Sequence, residues 1–332
     1  MKWGALVKCF PFILIHLPLQ KNLNPFNSWF PYLKDCQMNK TTLKISTIVL
    51  LLLFIVSCNK SELTLESVPS TYISVDDLKI HFKEYGQGEK TLIFVHGWGC
   101  DLNTWKYQFD YFKDKYHLVF IDLPGYGQSD KADIQYTIDL FAKSVLEIIN
   151  DLDVKKPVLI AHSMGLPVSI EVIKHLKTEN AILCNIDGVY FDFPKDSVEN
   201  QQYKDGLNEF ANMFKGEKHK ENVDQFCKGF ITERTPPDVS DYILSTMTKT
   251  SEKIGFQSMK SLINEKYWDK KIINNQSIAI YAKTADLPPN NENVLRTKFT
   301  KLKHIEMDSV NHFLMMEKPQ EVNKILEEFI EK

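Results

Sequence analysis

The sequence predicts an α/β fold with a largely parallel sheet, and two observations lead to this prediction. Short runs rich in β-branched and aromatic residues recur between residues 78 and 308, each bounded by Gly, Pro or Asp. Segments with helical periodicity lie between these runs. Because parallel strands need long crossover connections, strands that alternate with helices favour a parallel sheet that helices cover on both faces.

Each element is predicted from its own residues. The predicted strands are LKIHFKEY (78–85), TLIFV (91–95), HLVFI (117–121), PVLIA (157–161), AILCNI (181–186), QSIAIYA (276–282) and HIEMD (304–308). The predicted helices cover residues 102–115, 136–151, 165–177 and 318–331.

The alternation stops in one long segment. Residues 191–272 are polar, helical in tendency and without a convincing strand, so they read as an insertion between two strands. We therefore predict an α/β core in two parts, 71–190 and 273–332, with a helical cap between them. An insertion above the carboxyl edge of a parallel sheet covers the place where such folds bind ligands.

The composition excludes several classes of protein. Of 332 residues, 43% are hydrophobic and 25% charged, which is typical of a globular chain. The net charge is −3, and because the first 58 residues carry a surplus of lysine, the remainder is clearly acidic, which argues against nucleic acid as a partner. The six cysteines form no CxxC pair and no metal-site spacing, so we expect neither a metal nor an organic cofactor.

The first 58 residues look like a targeting segment. After Met38 come two lysines and an apolar stretch over 45–56, the layout of a secretory signal. The apolar run is shorter than the roughly 20 residues that a membrane-spanning helix needs. Its end, Ile55-Val56-Ser57-Cys58, resembles the bacterial lipobox, which implies lipid attachment at Cys58.

These features give a prediction for location. We expect 38–58 to be a lipoprotein signal peptide, 59–70 a polar tether, and 1–37 an extension upstream of the true start. The mature protein would be anchored to a bilayer in the bacterial cell envelope, because two or more acyl chains suffice for stable attachment.

The stretch Ala161-His162-Ser163-Met164-Gly165 follows a predicted strand and precedes a predicted helix. Small residues two before and two after Ser163 permit the sharp strand-to-helix turn of the G-x-S-x-G elbow, which exposes a serine hydroxyl for nucleophilic attack. A turn at the end of a strand uses small residues too, so the pentapeptide needs support from the rest of the chain.

Three further segments support it, and with them residues 75–332 resemble the α/β-hydrolase superfamily in its serine-nucleophile branch. His96-Gly97-Trp98-Gly99 follows a predicted strand, and the resemblance implies that the N–H groups of Trp98 and Met164 form the oxyanion hole. The segment 122–129, DLPGYGQS, matches a turn that is architectural in the superfamily, so the resemblance does not make Asp122 or Ser129 catalytic.

The third segment supplies the base. Asn311-His312-Phe313 before a closing helix matches the histidine context of the superfamily, which implies that His312 is the catalytic base. The superfamily order is Ser, acid, His. Asp286, beyond the strand 276–282, is the expected acid, although Lys283 stands where the superfamily usually has glycine. Asp187, after the strand 181–186, is the alternative.

The predicted function is therefore hydrolysis of a carboxylic ester or related acyl bond through an acyl-enzyme on Ser163. Epoxide hydrolases and haloalkane dehalogenases of this fold use an aspartate at the elbow, so Ser163 argues against both. A carbon–carbon bond hydrolase, a lactonase, a thioesterase or a non-catalytic ligand-binding lipoprotein stay open as alternatives. We expect a monomer that binds a small acyl substrate.

Overall fold

The computed structural model describes residues 63–176, 180–269, 271–284 and 291–332. The predicted signal peptide, the upstream extension and Cys58 therefore lie outside the described residues. In the part of the predicted tether that is described, a short 3-10 turn, Leu65–Ser67, is followed by the first strand at Ser70, and Leu65 and Val68 are buried in the core. Across the described ranges, no helix combines the length and apolar character that crossing a membrane requires.

The described residues form one eight-stranded sheet. Its strands are β1 (Ser70–Val75), β2 (Leu78–Tyr85), β3 (Thr91–Val95), β4 (His117–Ile121), β5 (Pro157–His162), β6 (Ile182–Ile186), β7 (Ile273–Ala282) and β8 (Phe299–Met307). Their order in space is β1-β2-β4-β3-β5-β6-β7-β8. β1 and β2 pair antiparallel, as do β2 and β4, and all the other pairs are parallel.

Helices connect the strands and close the chain. They are α1 (Lys106–Phe112), α2 (Ile138–Asp151), α3 (Gly165–His175), α4 (Ser197–Asn212), α5 (His219–Lys228), α6 (Pro237–Met247), α7 (Glu252–Leu262), α8 (Asn291–Lys298), α9 (Leu314–Glu317) and α10 (Pro319–Ile330). Helix α2 packs on α3, and α10 packs on α1.

Both faces of the central strands are covered. Every residue of β3 and of β5 is buried, and because successive side chains of a strand point to opposite faces, the two faces must both be packed. This confirms the predicted α/β class with a mostly parallel sheet. The strand predictions for β2, β3 and β4 match the observed bounds.

The helical insertion joins β6 to β7. Between these two neighbouring strands the chain forms α4, α5, α6 and α7, followed by a 3-10 turn at Glu265–Trp268. We call α4–α7 the cap. Trp98, which follows β3, donates through Nε1 to the carbonyl of Gly255 in α7 at 2.9 Å, so the cap contacts the loop at the carboxyl end of the sheet.

Candidate active site

Ser163 lies on a strained turn between β5 and α3. Its φ is +53°, in the left-handed region that serine rarely adopts. Such a backbone costs on the order of 1–3 kcal/mol and persists only where its surroundings enforce it. A Cβ on Gly165 would lie 2.4 Å from the Val95 carbonyl oxygen, so the close approach of α3 to β3 requires glycine there. The turn has the backbone features of a nucleophile elbow.

The loop after β6 holds the elbow in place. The Ser163 N–H donates to the Ile186 carbonyl, and the Val189 N–H donates to the Ser163 carbonyl, each at 3.3 Å. Two residues lie between these two partners, and the first is Asp187. The N–H and the carbonyl of Ser163 are therefore held by the two residues that flank the turn at Asp187 and Gly188.

Asp187 forms the central contact of the site. Its Oδ2 accepts a hydrogen bond from His312 Nδ1 at 2.7 Å, and its Oδ1 accepts one from the Ala282 N–H at 2.8 Å. Asp187 also has a positive φ, +46°, and its own N–H donates to the Ile280 carbonyl. The carboxylate is thus fixed between the carboxyl ends of β6 and β7 and faces the histidine.

A small buried network supports the Asp187 turn. Asn185 accepts from the Gly188 N–H at 2.8 Å and donates to the Tyr281 hydroxyl at 3.0 Å, and that hydroxyl donates to the Gly188 carbonyl at 2.7 Å. A Cβ on Gly188 would lie 2.1 Å from the Asn185 Oδ1. The turn therefore requires the Asn185 side chain and a glycine at 188.

The His312 loop is held from three directions. The Asn311 N–H donates to Glu317 Oε2, the Asn311 side-chain amide donates to the Phe230 carbonyl in the cap, and the His312 N–H donates to Asn311 Oδ1. His162 Nε2 lies 2.9 Å from the His312 carbonyl, to which it can only donate. The imidazole of His312 is consequently fixed through its own backbone as well as through Asp187.

His162 is a buried neutral imidazole beside His312. Its ring centroid lies 4.6 Å from that of His312, and its Nδ1 is buried without a hydrogen-bond partner among the described residues. Burial, and then the nearby charge of protonated His312, holds the pKa of His162 well below its usual value. Since His162 directly precedes Ser163, this ring contact places His312 next to the elbow.

The Ser163 hydroxyl has no hydrogen-bond partner among the described residues, and the residue is 8% exposed. His312 uses Nδ1 for Asp187, which leaves Nε2 for the hydroxyl. Hydrogen bonds of this kind are often long in ligand-free sites and shorten when substrate binds.

The two predicted oxyanion donors are available. A Cβ on Gly97 would lie 2.9 Å from Ser163 Cβ, so glycine lets the loop after β3 approach the elbow closely. Neither the Trp98 nor the Met164 main-chain N–H donates to another residue in the described part of the chain. Met164 immediately precedes α3, where N–H groups have no partners within the helix.

Aromatic side chains of the cap cover the site. The Phe230 ring is stacked on His312, with centroids 4.6 Å apart and planes at 23°. Phe226 contacts both Phe230 and Trp98, and Phe214 contacts Trp98 at 5.0 Å. We call Phe214, Phe226 and Phe230 the aromatic roof.

Not all predicted site residues can be placed. The structure brings Ser163, His312 and Asp187 together, whereas the expected acid, Asp286, lies outside the described residues. Asp308, near in sequence to His312, is exposed and faces Lys283 at 3.6 Å. The supporting roles of Asn185, Tyr281, Asn311 and Glu317 were not predicted, although Asn311 is part of the predicted histidine motif. The Asn-x-Asp-Gly sequence at 185–188 is the local signal from which Asn185 could have been found.

Solved structures of known proteins match this architecture. An esterase from Exiguobacterium antarcticum superimposes with a TM-score of 0.67 at 18% identity, covering 80% of this chain and all of the esterase. A bromoperoxidase from Bacillus anthracis gives a TM-score of 0.68 at 17% identity over the same shares. The chain has the α/β-hydrolase fold.

Sequence comparison agrees with the α/β-hydrolase fold. Residues 90–167 match the family model described as alpha/beta hydrolase fold. An uncharacterized hydrolase of Bacillus subtilis, YugF, is 35% identical over 104 residues, which cover 31% of this chain and 38% of YugF. Epoxide hydrolase 1 of Caenorhabditis elegans is 32% identical over 127 residues, covering 37% of this chain and 31% of that protein. The chain thus spans well under half the length of these relatives.

Proposed function

We propose that this α/β-hydrolase-fold protein is a serine hydrolase that cleaves carboxylic esters through an acyl-enzyme. In this proposal Ser163 is the nucleophile, His312 the general base and Asp187 the acid. The observation that carries the proposal is the 2.7 Å contact between Asp187 Oδ2 and His312 Nδ1, next to a serine that is held at positive φ.

The proton path follows from the hydrogen bonds. Ionised Asp187 accepts from Nδ1 and so fixes the tautomer of His312 in which Nε2 carries a lone pair. Nε2 takes the proton of Ser163 as the hydroxyl attacks the acyl carbon, and then returns it to the leaving alkoxide. A water molecule activated in the same way releases the acid and restores the serine.

The N–H groups of Trp98 and Met164 are the proposed oxyanion donors. Both are unused by other described residues, and the glycine at 97 allows the first to lie near the elbow. Each such donor contributes about 2.7–4 kcal/mol to acyl-transfer transition states in enzymes where one has been removed.

The roof favours an apolar acyl or alkyl group. Phe230 is stacked on His312, Phe226 joins Phe230 to Trp98, and Met247 of α6 packs close to Gly99, which follows Trp98. Such surfaces gain free energy from contact with apolar groups and offer no partner to a charge. We therefore propose an uncharged ester with an apolar acyl chain of medium length.

Relatives of this fold include proteins named epoxide hydrolases and a non-heme chloroperoxidase. An ester is preferred here because the elbow residue is Ser163, whereas the resemblance implies an aspartate there for epoxide opening. Lactones and thioesters pass through the same acyl-enzyme, so they stay alternative substrates. A binding protein that does not catalyse would show no turnover with any of them.

The test is hydrolysis of p-nitrophenyl esters, from two to sixteen acyl carbons, by the purified full chain. We expect turnover that falls on the order of 10⁴-fold or more in Ser163→Ala. Ser74→Ala, at an exposed position of β1, is the matched control and should keep the full rate. Equal rates in Ser163→Ala and the unchanged chain would refute the proposal.

We further propose that the protein is anchored in the cell envelope through lipid on Cys58. The support is the signal-like sequence of residues 38–58. Cells expressing the chain should incorporate labelled palmitate into it, and Cys58→Ser should abolish incorporation and release the protein from the membrane fraction. Unchanged membrane association and labelling in Cys58→Ser would contradict the anchor.

A further inference from the structure

A second Ser–His–Asp chain lies at the β1–β2 side of the sheet. Ser70 Oγ lies 2.8 Å from His81 Nε2, and His81 Nδ1 lies 2.7 Å from Asp122 Oδ2. Ser70 opens β1, His81 is in the middle of β2, and Asp122 directly follows β4. None of the three belongs to the site around Ser163.

The hydrogen bonds determine which atoms carry protons. Asp122 accepts from the Leu102 N–H on Oδ1 and from the Gln128 N–H on Oδ2, each at 2.8 Å, so both of its oxygens act as acceptors. His81 Nδ1 then donates to Asp122, which leaves the lone pair of the neutral imidazole on Nε2. That lone pair accepts the Ser70 hydroxyl proton, the arrangement of a serine with its general base.

The imidazole and the carboxylate of this second set are buried, whereas its serine is exposed. His81 and Asp122 are 0% and 1% exposed, and Ser129 fixes both backbones, because its Oγ accepts from the His81 N–H and donates to the Asp122 carbonyl. Ser70, in contrast, is exposed to solvent. A reagent can therefore reach the hydroxyl while the base and the acid stay fixed.

Ser70 also lines a surface cleft of about 860 Å³. Its charged lining residues are Glu66, Lys83, Asp101, Lys106, Asp110 and Asp122. The surplus of carboxylates disfavours an anionic ligand. Lys83 Nζ, which has three donors, gives hydrogen bonds to the carbonyls of Leu65 and Glu66, so one donor is left for an oxygen in the cleft.

We propose that Ser70 is a second acyl-accepting serine, activated by His81 and Asp122, for uncharged activated esters. Ser70 Oγ attacks the ester carbonyl carbon while His81 Nε2 takes the hydroxyl proton. The bond from that carbon to the leaving oxygen then breaks, and the proton passes from Nε2 to the leaving alkoxide. The products are an ester on Ser70 and one molecule of alcohol, and no oxidant or cofactor takes part.

The test uses the full chain carrying Ser163→Ala, which removes the elbow serine from the reaction. The protein is treated with an uncharged alkyl fluorophosphonate, and the modified serine is located by tandem mass spectrometry. Trypsin releases residues 61–79 as one peptide that holds Ser70 together with Ser67 and Ser74. Ser74, exposed on the same strand and without a side-chain hydrogen bond among the described residues, is the internal control.

We expect Ser70 to be labelled about 100-fold faster than Ser74, the size of effect that a positioned general base gives. His81→Gln should reduce labelling of Ser70 to the level of Ser74, with the fold checked by circular dichroism. Equal labelling of Ser70 and Ser74 in the folded protein would overturn the proposal.

A second measurement needs no change near Ser70. The titratable groups against His81 are Asp122 and Tyr72, whose ring centroid lies 5.1 Å from the imidazole. With a neutral imidazole as the base, the rate of Ser70 labelling should become independent of pH at alkaline pH. A rate that instead keeps rising tenfold per pH unit, as for an unassisted hydroxyl, would also overturn the proposal. Because Ser163 is absent throughout, the ester-hydrolase proposal can fail without affecting this result.

Discussion

The two Ser–His–Asp sets of this molecule contain the same three groups in opposite settings. At the elbow, the serine is 8% exposed, whereas the side chains of His312 and Asp187 are 15% and 16% exposed. At the β1–β2 side, the imidazole and the carboxylate are buried and the serine is exposed. The hydrogen bonds between acid and base are equally short, 2.7 Å in both sets.

The difference lies in what surrounds the hydroxyl. Ser163 has a strained backbone, two unused N–H groups nearby and an apolar roof, whereas Ser70 lies in a regular extended strand beside a polar cleft. A proton relay alone activates a serine, but electrostatic stabilisation of the oxyanion usually contributes the largest single share of the rate. We therefore expect turnover at Ser163 and a single acylation at Ser70.

The largest expected effect is at the acid of the elbow site. Asp187→Asn keeps the shape of the side chain but favours the wrong tautomer of His312, so kcat should fall about 10⁴-fold. Asp286→Asn is the matched comparison and should keep the rate, as measured with the best p-nitrophenyl ester. The opposite result, loss in Asp286→Asn with activity retained in Asp187→Asn, would assign the acid to residue 286.

The next effect tests the strained backbone that sets the elbow apart. Gly165→Ala places a Cβ against the Val95 carbonyl and should lower kcat about 100-fold, because the serine is displaced. It should also lower the free energy of unfolding by about 1–3 kcal/mol. Gly206→Ala, in the exposed middle of α4 with open space around it, should leave kcat unchanged and slightly raise stability. Wild-type kcat in Gly165→Ala would show that the turn tolerates displacement.

A smaller effect concerns the roof, which the β1–β2 set lacks. Phe230→Ala removes the ring stacked on His312 and should shift the preferred acyl chain to longer esters, with kcat/KM for these rising about tenfold. Phe210→Ala, which removes an exposed ring of the same aromatic cluster, is the control and should keep the original preference. An unchanged chain-length profile in Phe230→Ala would remove this residue from the substrate site.

The smallest expected effect is on the pH dependence of stability and concerns the buried His162. The pKa of His162 is lowered on folding, so below its unfolded value of about 6.5 the unfolded chain binds a proton that the folded chain does not. The free energy of unfolding should therefore decrease as pH falls below about 6.5, by up to about 1 kcal/mol per pH unit. Above that pH His162 is neutral in both states and does not lower the stability. Denaturant titrations of His162→Asn should show a shallower loss between pH 6.5 and 5. Identical slopes for both proteins would contradict the assignment.

Much of the fold follows from local sequence. Strands β3 and β4 were predicted with their bounds because TLIFV and HLVFI are short apolar runs, and β2 because LKIHFKEY alternates apolar with polar residues before Gly86. Strand β1, STYISV, was missed because it lies at the edge of the sheet with most residues exposed. Exposed positions need not be apolar, so the strand has no apolar run that would reveal it. Helix α8 was missed for a similar reason, because its residues, NENVLRTK, are mostly polar.

The site was predictable to the extent that its residues lie in local motifs. The elbow and the histidine context could be recognised from a few neighbouring letters, and Asp187 was the second choice for the acid. Its contact with His312 joins residues 125 apart in sequence, and its support from Tyr281 depends on the pairing of β6 with β7. The hydrogen-bonded set of Ser70, His81 and Asp122 has no motif in the sequence, because His81 looks like any other residue of a strand.

Phe230 both covers His312 and helps to hold it in place. Its ring covers His312, and its carbonyl accepts the amide of Asn311, which holds the His312 backbone. In the proposed mechanism, a displacement of Phe230 from His312 would therefore also break the hydrogen bond that holds Asn311 beside the proposed base. We therefore expect bulk water to reach Ser163 mainly when the proposed base, His312, is out of position.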